Sequence, residues 1–402
     1  MADILQGEDR GEDVGMMEPL LIGEAAPRRT EMVDLALDLT RRSTALRSGL
    51  PPVVAEGLAG LVRAMNCYYS NLIEGHDTHP VDIERALRGD YSSEPEKRDL
   101  QLEAKAHIAV QAWIDDGGLG DRILTGEGLR ELHARFCENL PERLLMIQEP
   151  GTGASFRMTP GVFRQHDVKV GRHLAISAGA VPRFVARLER AYAKLGVTDT
   201  ILAAATAHHR LLWIHPFLDG NGRVARLMSY ALLRRSLDTG GLWSVARGLA
   251  RNEALYKQHL TACDLPRRHD RDGRGNLSEE CLSDFTAFFL RVCIDQVDFM
   301  AELIRPERLT DRIVAWAREE IARDILPARA DVVLQMVLYR GELPRNEVAG
   351  LLGVVDRQAR RVTSALQDRG VLVSEGPRLP WRLAFPAALA PRWMPGLFPE
   401  MG

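Results

Sequence analysis

The sequence predicts an all-α protein with one small β-hairpin and a C-terminal winged helix-turn-helix, and three observations carry that prediction. Apolar residues recur at helical spacing over most of the chain. One stretch bearing glycine and proline, residues 146–180, replaces that spacing with strand-like alternation. After residue 326, three short helical segments are followed by two strand-like runs.

Residues 1–30 hold more acids than bases and recurrent glycine, without the basic start and apolar run of a secretory signal, so a mobile leader is expected. Helical spacing begins in "MVDLALDLTRR" and "VVAEGLAGLVRAM" and continues to "SNLIEGH"; "THPVDIERALRG" opens another helix with Thr78 as its cap. "EAKAHIAVQAWIDD" closes an N-terminal helical region spanning 31–119, and "TGEGLRELHARFCENL", capped by Thr125, opens a core over 120–265. Within that core, "DVKVGRHLAI" alternates as a short hairpin, and helices resume at "VPRFVARLERAYAKL". The polar "DLPRRHDRDGRGNLSEE" is expected as a surface loop, joined to a linker helix "SDFTAFFLRVCIDQVDFMAELI" over 266–325. In 326–390, "DVVLQMVLYRG", "LPRNEVAGLLG" and "DRQARRVTSALQDRGVL" supply three helices, and the runs around Gly376–Pro377 supply a two-stranded wing. Arg357, Arg360 and Arg361 lie along the presumed recognition helix, where they could meet DNA phosphates. The segment also carries acids, and protein contact or homodimerisation stays open.

A chain of 402 residues, 46% hydrophobic and 27% charged, has the balance of an ordinary soluble globular protein. Its net charge of -3 argues against a molecule dominated by a nucleic-acid or membrane surface, while leaving room for a local basic patch. No apolar run reaches the length of a membrane span, so no membrane partner is expected. Cys67, Cys137, Cys263, Cys281 and Cys293 are odd in number and form no C-x-x-C pair, which points to reduced thiols in the cytoplasm and excludes a zinc framework.

The chemistry concentrates in "HPFLDGNGR", His215 to Arg223, set between two helical patterns. Glycine lets backbone approach a ligand closely, and the first amides of a helix lack internal partners. Gly220, Asn221 and Gly222 at a helix start therefore make a cradle for phosphate oxygens, to which Arg223 and Arg226 add fixed charge. Asp219 offers the oxygen ligand that Mg²⁺ prefers, and His215 is placed to take a proton from an incoming hydroxyl. A nucleoside triphosphate accounts for these parts together.

"HPFLDGNGRVAR" resembles the signature of the Fic family at every defined position. "GLRELHARF" looks like the family's opening helix, "PGVFRQHDVKVG" like its hairpin flap, and "NEALYKQHL" like its tyrosine-bearing segment, although a second tyrosine is replaced by Lys257. "SNLIEG" is similar to the family's inhibitory motif, with Ser70, Glu74 and Gly75 in its defined places. The resemblance implies a Fic helical core that transfers AMP from Mg-ATP to a hydroxyl of a target protein, with His215 as catalytic residue and Asp219 as metal ligand. Arg223 would meet the β-phosphate and Arg226 the γ-phosphate, and Glu74 would restrain the reaction by competing for Arg226. The implied ATP site also takes in the flap residues Val168, Lys169, Val170 and Gly171, the helix residues Val224 and Ala225, and Tyr256 and Asp264 near adenine and ribose. His208 fits the pattern but reads as structural. Removal of AMP from a modified protein, and a DNA-binding regulator with a nucleotide-sensing core, are the alternative functions.

Overall fold

The computed structural model describes residues 7–148, 153–237 and 239–399. Its N-terminal half contains helices α1 (Arg29–Arg47), α2 (Pro52–Ile73), α3 (Pro80–Leu87), α4 (Pro95–Asp115), α5 (Gly126–Cys137) and α6 (Glu142–Leu145). Four short strands follow: β1 (Met146–Gln148), β2 (Ser155–Arg157), β3 (Lys169–Val170) and β4 (His173–Leu174). Next come α7 (Val181–Tyr192), α8 (Val197–Ile214), α9 (Asn221–Leu237), α10 (Val245–Arg251), α11 (Glu253–Cys263), α12 (Glu279–Leu303) and α13 (Pro306–Ala322). The C-terminal part runs α14 (Ala330–Arg340), β5 (Glu342–Leu343), α15 (Val348–Leu352), α16 (Asp356–Asp368), β6 (Leu372–Val373), β7 (Trp381–Leu383) and α17 (Ala390–Trp393).

The centre of the fold is the pair α8 and α9. Ala203, Ala204, Ala205 and Ala207 of α8 have no exposed surface, and these small side chains let α9 approach closely. Helices α8 and α9 are buried on nearly every side, by α1, α5, α7 and α12 among others, and α9 takes Arg223 and Arg226 in with it. Helix α2 runs from the C-terminal sheet to the loop between α8 and α9. At its start, a β-carbon on Gly57 would lie 3.0 Å from the Leu383 carbonyl oxygen of β7, so helix and strand touch there.

Several expectations are corrected. Residues 7–28 are packed, not a mobile leader: Met17, Leu20 and Ile22 enter the core, Asp9 and Glu18 pair with Arg183 and Arg187, and Glu12 accepts from the amide and hydroxyl of Ser177. Acids that suggest solvation in the sequence are here committed to partners on α7 and the loop before it; residues 1–6 of that leader lie outside the described residues. His79, not Thr78, caps α3, its Nδ1 accepting from Val81 N at 3.2 Å, whereas Thr125 caps α5 through Gly128 N at 3.0 Å.

Two antiparallel hairpins, β1–β2 and β3–β4, occupy the stretch where the alternation predicts one, and residues 149–152 between the first pair lie outside the described residues. The polar loop before α12 is organised by Asp272, which is fully buried and accepts from Ser278 Oγ and the amides of Arg268 and Glu280. The C-terminal sheet has three antiparallel strands in the order β5-β7-β6 where the sequence predicts two. The extra strand is only two residues long, too short to show alternation. Among the described residues, no helix is long and apolar enough to cross a membrane, and all five cysteines are free and buried.

Candidate active site

Helix α8 ends at His215, whose φ of 51° is left-handed, a conformation costly for a residue with a β-carbon. Two contacts hold it there. Its amide donates to the Leu211 carbonyl at 2.9 Å, and its own carbonyl accepts from Arg164 Nε at 2.8 Å. The Arg164 side chain is fully buried and its guanidinium also serves the carbonyls of His166 and Ile176. With its charge desolvated, Arg164 is pulled down to about 10. Arg164 lies inside "PGVFRQHDVKVG", yet nothing local in the sequence marks it as a cap for a helix fifty residues on.

The half-buried His215 imidazole has no described partner at Nδ1. Burial first, and the nearby Arg164 charge second, lower its pKa to about 4, so the ring is neutral at physiological pH and ready to accept a proton. A cavity of about 210 Å³, bounded by Phe163, Arg164, His166 and Leu218 among others, opens beside this loop.

The loop after His215 is held from within. Asn221 Oδ1 accepts from Phe217 N, and its Nδ2 donates to Phe217 O, both at 2.9 Å. The Phe217 ring stacks on His133 of α5, centroids 4.0 Å apart and planes 3° from parallel. Gly161 N donates to His133 Nδ1 at 2.8 Å, which leaves Nε2 to donate to the Asp219 carbonyl at 3.2 Å. His133 is thereby a neutral strut between the α8–α9 loop and the segment leading to β3; burial lowers its pKa to about 4. The Asn221 side chain thus shapes the loop and is not offered to a ligand. Val224 N bonds to Gly220 O at 3.0 Å, so the bare amides are those of Asn221, Gly222 and Arg223. The side chains of Val224 and Ala225 are fully buried in the core.

Opposite these amides stands the end of α2. Gly75 adopts φ +86°, and the bonds Gly75 N to Leu72 O and His76 N to Asn71 O, each 2.9 Å, close the helix as a Schellman turn. That turn directs Glu74 at α9, where its carboxylate contacts Arg226 directly. Ser70, one turn earlier, accepts from Arg226 Nε at its hydroxyl (2.9 Å) and from Nη2 at its carbonyl (3.0 Å). Burial pushes Glu74 upward in pKa, but Arg226 and Arg223 outweigh it and hold the carboxyl below its usual range.

Arg223 is enclosed: it contacts Glu103 of α4, donates to Asp219 Oδ2 at 3.0 Å and lies over the Phe136 ring. Glu103 is itself fully buried and bonds His76 Nδ1 at 2.6 Å. Glu103 escapes a sequence reading because its partner lies 120 residues away. Asp219 keeps 44% of its side-chain surface exposed while one oxygen is held by Arg223. A single oriented carboxylate beside bare amides suits Mg²⁺ carried in with phosphates, whose oxygens and water would fill the remaining positions. Among the described residues no group of three acids, histidines or cysteines forms a metal site by itself.

Hairpin β3–β4 pairs Lys169 with Leu174 and Val170 with His173 around Gly171, and His173 Nε2 anchors it by donating to the Trp213 carbonyl at 2.8 Å. Lys169, Val170 and Gly171 are exposed, and Val168 is half-buried at the hairpin's base. Tyr256 and Asp264 take packing roles. The buried Tyr256 hydroxyl donates to His208 Nε2 at 2.7 Å, and burial raises it to about 12. Asp264 accepts from His209 Nε2 at 3.0 Å. His208 is fully buried and bonds Ser229 at 3.0 Å, a structural role as expected.

Fold and loop together define an α-helical protein in which a neutral histidine precedes a bared helix start covered by an ion-paired glutamate. Residues 123–233 match the model of the Fic/DOC family, and the chain carries a Fic domain there. The protein adenylyltransferases Fic of Drosophila erecta and Drosophila melanogaster are each 38% identical to it over 78 residues, 19% of this chain and 16% of theirs. The chain thus spans less than a fifth of the curated relatives it matches. A Fic family protein from Desulfovibrio desulfuricans G20 superposes over 90% of this chain and 98% of its own, with a TM-score of 0.52 and 17% identity, a likeness of fold.

Proposed function

We propose that the protein transfers AMP from Mg-ATP to a hydroxyl of a target protein and is held inactive by Glu74. The observation that carries this reading is the contact of Glu74 with Arg226 across the bared start of α9. A carboxylate there occupies the cation that a γ-phosphate would need, so triphosphate would enter only in a pose unsuited to attack. With Glu74 withdrawn, the amides of Asn221, Gly222 and Arg223 would receive phosphate oxygens, and Asp219 would hold Mg²⁺, whose charge would offset that of a leaving pyrophosphate. The neutral His215 imidazole takes the proton of the target hydroxyl. The hydroxyl oxygen bonds to the α-phosphorus, and the bond from that phosphorus to pyrophosphate breaks. The exposed edge of β3–β4 would hold the target segment as an added strand. The similarity to proteins named adenylyltransferases supports the reaction class.

Labelled ATP tests the proposal. Glu74→Gly is expected to raise auto-adenylylation at least ten-fold, and His215→Ala in that background to abolish it. A Glu74→Gly protein as silent as the parent removes the inhibitory reading. The reverse reaction, hydrolysis of AMP from a modified protein, is favoured by the same carboxylate, which could orient a water. Incubating a modified substrate with parent and Glu74→Gly separates the two, because only hydrolysis needs the glutamate.

A further inference from the structure

We propose that the outer face of α16, together with the turn between β6 and β7, binds duplex DNA through its phosphates, independently of the transfer reaction. The order α14, β5, α15, α16, β6, β7 places α15 and α16 as consecutive helices joined by the short turn at Gly353–Val355 and followed by a hairpin. Helix α16 buries Ala359, Val362, Thr363 and Leu366 and leaves its other side open. On that open side stand Arg357, Arg360 and Arg361, all exposed, and none has a side-chain partner among the described residues. Neighbouring arginines of this region behave otherwise: Arg340 pairs with Glu347, Arg369 with Glu320 and Arg382 with Glu375. The three cations outnumber Asp356 and Asp368, the exposed acids at the two ends of α16, so the helix keeps a net positive charge.

The hairpin adds a fourth. Arg378 is exposed at the turn and likewise lacks a side-chain partner among the described residues. The turn is held in shape beneath it. Arg345 stacks 3.7 Å above the Trp381 ring and donates to the Leu379 carbonyl at 2.9 Å, while Ser374 Oγ bonds the carbonyls of Gly376 and Leu379. Arg378 is therefore presented by an ordered loop.

Duplex DNA is the occupant this geometry fits. A single helix with one free face enters the major groove of B-form DNA, while the A-form RNA groove is too narrow to admit it. Gln358, Ser364 and Gln367 are exposed among the arginines and supply donors and acceptors for base edges, which an acidic peptide would not require. Arg378 would meet the flanking backbone as the wing of such modules does.

The test is fluorescence anisotropy of the full chain with a labelled random-sequence duplex of roughly 24 base pairs. Three phosphate contacts alone should weaken binding roughly forty-fold between about 50 and 200 mM salt. The triple variant Arg357→Ala/Arg360→Ala/Arg361→Ala should bind at least ten-fold more weakly with a shallower salt slope, and Arg378→Ala should lose a smaller factor. A control pair outside α16 and the β6–β7 turn, Arg41→Ala/Arg235→Ala, should bind as the parent does. Because the substituted side chains are exposed and unpartnered, thermal unfolding of the triple variant should match the parent. Parent binding that is absent or insensitive to salt overturns the proposal. So does a triple variant that binds like the parent, or a preference for single-stranded RNA or an acidic peptide over the duplex.

Discussion

A β-carbon on residue 222 would stand 2.3 Å from Oε1 of Glu74 and 3.2 Å from a guanidinium nitrogen of Arg226. The Glu74 carboxylate therefore sits directly against the bared backbone, in the space that a phosphate would take under the proposed function. Gly222→Ala and Glu74→Gly both disturb the ion pair, but only the second leaves the cradle open. Glu74→Gly should activate by roughly ten- to a hundred-fold, the scale of one charge-assisted hydrogen bond, whereas Gly222→Ala should stay inactive. Auto-adenylylation and ATP calorimetry on the two variants check this contrast.

The proton acceptor should keep working in acid. With burial and Arg164 lowering the free-protein His215 to about 4, kcat/KM of the Glu74→Gly variant should hold level from pH 7 down and fall only as pH approaches that value. A histidine with its ordinary pKa would give an acid limb near 6.5. Proton NMR of the His215 ring in the free protein gives the same answer without turnover.

His76 should tie stability to pH in the other direction. Its bond to buried Glu103 raises its pKa above the ordinary 6.5, against an opposing effect of burial. The stabilisation is fully present below the unfolded-state value and is lost as pH rises through the higher folded-state value. Urea midpoints should therefore decline on passing upward from pH 6.5, and His76→Gln should flatten that part of the profile.

The struts beneath the loop should cost stability and activity together. Arg164→Ala strips the donor from the His215, Ile176 and His166 carbonyls. At about 1–3 kcal/mol for each buried group left unpaired, a loss of roughly 3 kcal/mol or more follows. His133→Phe preserves the stack on Phe217 but forfeits two hydrogen bonds, for about 2 kcal/mol, and His133→Ala should cost more. Denaturant unfolding of the three variants orders them.

The α8–α9 loop is legible because its features are contiguous: a helix end, a turn and a helix start lie within nine letters, and each letter has a local reason. Ser70 and Glu74 are legible because one helical turn separates them and Gly75 marks the helix end. Glu103, His133 and Arg164 each stand inside stretches whose helical or hairpin character is plain, yet their roles depend on partners from 51 to 120 residues away. Only the tertiary fold makes those pairings. The first thirty residues mislead for a related reason. Met17, Leu20 and Ile22 follow neither a period of 3.6 nor of 2, so their burial leaves no pattern, while the acids beside them suggest solvent. Asn221 shows the converse, a motif residue whose spacing suggests ligand contact and whose side chain instead closes its own loop.

Helix α2 meets β7 at Gly57 and delivers Glu74 at its other end, seventeen residues later and about 25 Å along its axis. A stiff rod seated at both ends acts as a lever: tilting one seat displaces the other. Gly57→Leu, which forces helix and strand apart, should thus lift the carboxylate off Arg226 and wake the enzyme from a distance, with no atom of the catalytic loop altered.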